Sequence, residues 1–180
     1  LYNDSNTRPD YIVFIGDVTG SFPVPTYTSS GSGDYQYTLL AGNDEMGDCF
    51  IGRISAESTS QLDVIFSKIY AYERDINVST AQWLNRMLLV GDTQHDGISV
   101  VYICKYIKEL ALQTNPDYTF TMLAQSAPSP SSMNTAINQG VGFFNYRGYI
   151  GMSGWSPSDA LINGVKLPHA VIITCSTGNF

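Results

Sequence analysis

The chain has 180 residues, 43% hydrophobic and 14% charged, enough apolar content to bury one sizeable core and too little length for two full domains. Lys plus Arg number 9 against 16 Asp plus Glu, a formal net charge of -7, and the basic residues are scattered, which argues against a nucleic-acid backbone as a partner. The longest apolar runs, such as Met87–Val90 and Ala170–Ile173, fall far short of the ~20 residues that span a bilayer, so no membrane span is expected.

Leu1 opens the chain without Met, a basic stretch or an apolar signal core, and the numbering is therefore expected to begin inside a longer precursor or at a processed end. Few lysines, 12 Tyr and many Ser, Thr, Asn and Gly residues give the composition of an exported protein, secreted or at the cell surface. Cys49, Cys104 and Cys175 are odd in number and form no zinc-like cluster with the two histidines, so at least one thiol must be free.

Tyr11–Ile15, closed by Gly16-Asp17, has the profile of a buried parallel strand. Residues 18–47, with Pro23, Pro25, Ser29, Ser30, Gly31 and Gly33, read as a long loop or irregular hairpin. The acids in and beside it, Asp17, Asp34, Asp44 and Asp48, make either a calcium site or a solvated turn. A second strand near Cys49–Ile54 leads into a helix with a Ser58-x-x-Gln61 capping box and an apolar stripe of Leu62, Ile65, Phe66, Ile69 and Tyr70.

Met87–Val90, closed by Gly91-Asp92, is a third buried strand. From Gly97 a second helix places Val100, Ile103, Cys104, Ile107, Leu110 and Ala111 on one face, which assigns Cys104 to the core. Asp117–Leu123 is a fourth strand, Ala127–Ser132 a connector and Asn134–Gln139 a short helix. Val141–Tyr146, ending in Arg147-Gly148, and Ala170–Thr174, ending at Cys175, are the fifth and sixth strands. Strands alternating with helices predict an α/β fold, a doubly wound, mostly parallel sheet of about six strands with helices on both faces.

Ligands of open parallel sheets bind outside the carboxyl ends of the strands, which singles out Asp17, Asp92, Tyr149 and Cys175. Thr174-Cys175-Ser176-Thr177-Gly178 sets a thiol at a strand-to-loop turn, where it is either an exposed nucleophile flanked by backbone N–H donors or a buried strand-end cysteine.

DYQYTLLAGNDEMGDCFIGRISAESTSQLDVIFSKIYAYER, Asp34–Arg74, resembles the pre-catalytic part of the gingipain-like cysteine peptidases. FFNYRGYIGMSGW, Phe143–Trp155, resembles that family's catalytic-histidine segment, and LPHAVIITCSTGNF, Leu167–Phe180, its catalytic-cysteine segment. The resemblance implies a caspase-like fold, residues 1–180 as one peptidase domain cut from a longer chain, a Cys-His dyad on adjacent strand ends, and calcium sites. By it Cys175 is the nucleophile. Where the family has Gly-His-Gly-Ser followed by Trp, this chain has Gly148-Tyr149-Ile150-Gly151 with Trp155 at the expected distance. Gly148, Ile150, Gly151 and Trp155 are thereby oxyanion and pocket positions, and Tyr149 takes the place of the base. A phenol with a pKa of about 10 is a poor base near neutrality and offers no imidazolium to hold a thiolate.

His169 lies six residues before Cys175 on one strand, about 20 Å away at ~3.3 Å per residue, and is excluded as a substitute. His95, on the same carboxyl edge as Cys175, is the candidate replacement. Asp92-Thr93-Gln94-His95-Asp96 also resembles the gingipain stretch in which an S1-pocket acid precedes a Gln-His pair, so Asp92 is expected either in that pocket or behind a histidine. Two functions stand side by side. One is an exported cysteine endopeptidase acting on peptide or protein, with no required cofactor. The other is a non-catalytic peptide-binding or structural module that associates with other parts of its own precursor. The strands of Tyr149 and Cys175 are expected to be parallel neighbours, and Cys175 the most accessible thiol.

Overall fold

A computed structural model describes residues 2–28, 33–157 and 161–177; Ser29, Ser30, Gly31 and Gly178 of the motifs above lie outside the described residues. The chain divides within its first helix into unit 1, up to Ser67, and unit 2, from Lys68.

In unit 1, strands β1 (Tyr11–Ile15) and β2 (Phe50–Ile54) pair in parallel with Tyr11 opposite Phe50 and Ile15 opposite Ile54. The long connection between them is organised by one cation. Arg53, its side chain 4% exposed, donates to both carboxylate oxygens of Asp34 and to the carbonyls of Gly16, Val24 and Pro25. Helix α1 (Thr59–Glu73) opens on the expected cap, with one change: Ser58 Oγ accepts from Gln61 N at 3.3 Å, while the Gln61 side chain reaches back to Glu57 N at 2.7 Å instead of to Ser58.

Unit 2 holds β3 (Arg86–Asp92), α2 (Thr93–Asp96), α3 (Ser99–Thr114), β4 (Thr119–Gln125), α4 (Pro130–Gln139), β5 (Phe143–Ile150) and β6 (His169–Cys175). Its strands form one parallel sheet in the order β4-β3-β5-β6. The six expected strands are thus present and parallel, divided between a two-stranded and a four-stranded sheet.

The continuous apolar run of β3 is explained by burial on both faces. Leu88 and Val90 pack with Phe144, Tyr146 and the α4 residues Met133, Ala136 and Ile137. Met87 and Leu89 pack on the other side against Cys104, Ile107 and Ala111 of α3. The contact seam of α3 is narrower than its apolar content suggests, since Ile103 and Leu110 are exposed. At ~100° per residue, Val100, Cys104, Ile107 and Ala111 fall within one narrow arc, and Ile103 and Leu110 stand roughly 40–60° beyond its edge. Likewise Tyr70, expected on the α1 stripe, is exposed. Among the described residues no helix is long and apolar enough to cross a membrane.

Candidate active site

The carboxyl edge of the unit 2 sheet gathers most of the expected site residues. Strands β5 and β6 are parallel neighbours, as expected, in register from Phe143 opposite His169 to Arg147 opposite Ile173. The register then slips, and Ile150 stands opposite Cys175. Gly148 and Tyr149 occupy this bulge, a feature that re-aims side chains at strand ends. Gly148 has a packing reason to be glycine: a Cβ there would come within 2.8 Å of the Tyr146 ring and 2.9 Å of its hydroxyl. Tyr149 and Ile150 are both more than half exposed, and Cys175 is the one exposed thiol, beside half-buried Cys49 and buried Cys104.

Asp92 ends β3 and caps α2. Its Oδ1 accepts from Gln94 N at 2.9 Å and Ala127 N at 3.2 Å, and its Oδ2 accepts from Ser153 Oγ at 2.6 Å. The Ser153 O–H is directed at Asp92, so the Tyr146 hydroxyl, 2.8 Å away, donates to Ser153. Burial pushes the Asp92 carboxyl up, but the Ser153, Gln94 and Ala127 donors, with a smaller attraction to His95, outweigh it and hold the group below its ordinary value. Buried, with both oxygens hydrogen-bonded, Asp92 is an anchor of the edge. Ala127 and Ser153, which supply two of its donors, both adopt positive φ (45° and 52°), and Ser176, next after Cys175, does so too (61°). Strained residues of this kind collect where surrounding structure over-determines them.

His95 projects from α2, and its ring lies against Tyr149 with centroids 5.7 Å apart and planes tilted 42°. The next residue, Asp96, faces Arg147 Nη1 at 3.3 Å. His95 is thereby brought to the edge that carries Tyr149 and Cys175. His169 starts β6, edge-on to Phe143, at the opposite end of the strand from Cys175, so the distance argument that set it aside holds.

Two expected pocket residues are otherwise engaged. The Gly151 N–H donates to the Cys175 carbonyl at 2.9 Å, and Thr174 Oγ1 donates to the Gly151 carbonyl at 3.0 Å. This N–H closes the β5–β6 junction and is unavailable to an oxyanion. Trp155 packs edge-on against Phe144 in the α4-side core, and its indole N–H donates to Asn134 at 2.7 Å. Gly148 and Ile150 remain at the edge as expected. Ser153, Ala127, Asp96 and Arg147 escape a sequence reading, because each is tied to the site by a contact across tens of residues and carries no local pattern.

The acids of unit 1 do not come together. Asp34 is neutralised by Arg53, which lowers its pKa as the leading cause. Asp48 accepts from Ala41 N, Leu40 N and the Tyr2 hydroxyl. Asp17 bonds Ser55 and Thr19, and Asp44 caps its own turn at Met46 N. Among the described residues no three His, Cys, Asp or Glu side chains could share a metal ion, so these four do not fit the calcium site read from the sequence.

The sequence profile of peptidase family C25 matches residues 1–180. The chain belongs to peptidase family C25. It is 26% identical to Gingipain R2 of Porphyromonas gingivalis over 195 residues, covering 99% of this chain and 25% of that protein. Gingipain R1 of the same organism is also 26% identical over 195 residues, with 19% of its length covered. The C25 chain thus spans about a quarter or less of these curated relatives. The crystal structure of the Arg-specific cysteine proteinase gingipain R superposes with a TM-score of 0.81 at 26% identity, over 98% of this chain and 43% of that one. A complex of gingipain pro- and mature domains from Porphyromonas gingivalis gives a TM-score of 0.78, also at 26% identity, over 97% and 43%. The gingipain-like, caspase-like fold expected from the sequence is therefore the fold of this C25 chain.

Proposed function

We propose that this chain is the peptidase domain of an exported gingipain-like protein, with Cys175 as the thiol of its site and with the imidazole beside that thiol replaced by Tyr149. The edge then binds extended peptide and turns it over far below the rate of a Cys-His pair. The observation that carries this reading is the pairing of Ile150 with Cys175 across a bulge that holds Tyr149. In a working dyad the sulfur forms a bond to the peptide carbonyl carbon, the C–N bond breaks, and the thiol proton ends on the leaving amine. A phenol neither takes that proton near neutrality nor supplies a cation to favour the thiolate. Sparse lysines and abundant Ser, Thr, Asn and Gly support export. The chemistry calls on no cofactor.

One contact favours a second reading. The His95 ring against Tyr149 puts an imidazole next to the replaced position, where it could relay the thiol proton to the amine and make the domain an active endopeptidase. Iodoacetamide labelling of Cys175 from about pH 5 to about pH 9, with cleavage of a mixed peptide library, separates the two. The first reading expects labelling confined to the alkaline side, cleavage far slower than that of the Tyr149→His variant, and a new acid-range labelling limb in Tyr149→His. Rapid labelling at about pH 5 with cleavage, both lost in His95→Ala, would establish the second. A wild-type Cys175 that labels at no pH, with no response to Tyr149→His, would overturn both.

A further inference from the structure

Arg147 belongs to none of the roles above, yet it touches three of the parts that carry them. Its Nη1 donates to the Gly148 carbonyl at 2.6 Å, inside the β5 bulge just before Tyr149. The same nitrogen reaches the Ile173 carbonyl at 3.3 Å, two residues before Cys175 on β6. It also stands 3.3 Å from Asp96 Oδ2, the residue after His95 on α2. That carboxylate oxygen is buried and has no aligned hydrogen-bond donor, so charge attraction to Arg147 is what compensates it. Both N–H bonds of the one nitrogen are directed to carbonyls of adjacent strands, with the carboxylate held by Coulomb attraction alone. The side chain is about two-thirds buried, which shields the pair from solvent screening.

We propose that Arg147 is a positioning residue of the site. It ties the bulge bearing Tyr149, the strand end bearing Cys175 and the helix bearing His95 into one edge, and through Asp96 it holds the His95 ring against Tyr149. This rests on the carboxyl edge being the site, but its test does not depend on cleavage. Arg147 touches no reacting atom; it acts through the three side chains that its contacts orient. Without it the bulge keeps its strand bonds and the Thr174 hydroxyl bond to Gly151, and α2 keeps the Asp92 cap and the Ser99 hydroxyl bond to the Asp96 carbonyl, none of which engages the Asp96 carboxylate or the His95 ring.

The test is NMR of the full chain, following the imidazole resonances of His95, which are told from those of His169 with a His169→Gln variant. In otherwise wild-type protein Tyr149→Leu is expected to shift the His95 ring protons, because it removes the aromatic ring beside them. In an Arg147→Met background that shift is expected to be lost, and the Gly151 N–H that closes the β5–β6 junction to exchange faster with solvent. Arg147→Lys, which keeps the charge and a donor, is expected to retain the shift. Asp96→Asn leaves both carbonyl bonds in place and is expected to lose it, and it carries the test if Arg147→Met does not fold. A Tyr149-dependent shift of full size in both Arg147→Met and Asp96→Asn would overturn the proposal. Retention in Asp96→Asn alone would overturn the link to His95. If the shift behaves as expected while Cys175 labels at no pH, the positioning stands and the functional reading falls.

Discussion

Both carboxylate oxygens of Asp92 are taken, by Gln94 N and Ala127 N on one side and by Ser153 on the other, so removing its charge leaves three donors short of a strong acceptor. Asp92→Asn is expected to cost about 1–3 kcal/mol in urea denaturation at neutral pH. The pH dependence has a definite sign. The folded-state pKa is depressed, so the stabilisation is fully present above the ordinary carboxylate value of about 3.9 and is lost as pH falls through the lower folded value. Asp34, depressed chiefly by its bond with Arg53, contributes with the same sign in unit 1. The acid-side slope of stability below about pH 4 should therefore be shallower in Asp92→Asn than in wild type, with the Asp34 part remaining in both. An unchanged slope would show that Asp92 is not the anchor described. Ala127, in contrast, donates only through its backbone from a positive φ, and Ala127→Gly is expected to leave stability unchanged or slightly raised.

The elements show where a sequence stops being readable. Short apolar runs that end in Gly-Asp located β1 and β3, and the order of strands and helices located the carboxyl edge. Burial on both faces accounts for the run of β3, whereas β1, expected as a buried strand, leaves Tyr11, Val13 and Ile15 exposed in a two-stranded sheet. Helix α3 was legible as a helix but not in its exact seam, since Ile103 and Leu110 share the apolar character of Val100 and Ile107 and differ only in angle. Leu110→Ala should consequently change stability by no more than about 0.5 kcal/mol, whereas Met133→Ala on α4, fully buried, should cost about 2–5 kcal/mol. The bulge in β5 was not legible at all. It depends on Ile150 meeting Cys175, 25 residues further along the chain, and on Tyr146 folding back under Gly148. Gly148→Ala is expected to cost about 1–3 kcal/mol by overpacking that ring, and to raise the exchange rate of the Gly151 N–H. An innocuous Gly148→Ala would mean that the bulge is not held by the Tyr146 ring.

Across the whole molecule the buried apolar side chains are unequally shared. Trp83, Met87–Val90, Val100, Cys104, Met133, Ile137, Phe144 and Tyr146 all belong to unit 2, and Ala56 is the one residue of unit 1 among the buried hydrophobics of the described chain. Unit 1 relies instead on polar ties, above all the Arg53 guanidinium with its carboxylate and three carbonyl acceptors. Hydrophobic burial is the larger stabilising contribution per residue, and a two-stranded sheet is marginal by itself. Native-state hydrogen exchange should therefore rank the amides of β3 slowest, opening only with global unfolding, and those of β1 and β2 distinctly faster. Asp34→Asn, which removes the carboxylate that bonds the buried Arg53 cation through both oxygens, should cost unit 1 about 3–5 kcal/mol. That loss should appear first as faster exchange of β1 and β2. Equal protection of β1 and β3 in the wild-type chain would show instead that the two units unfold as one cooperative body and that the polar ties of unit 1 match the apolar core of unit 2.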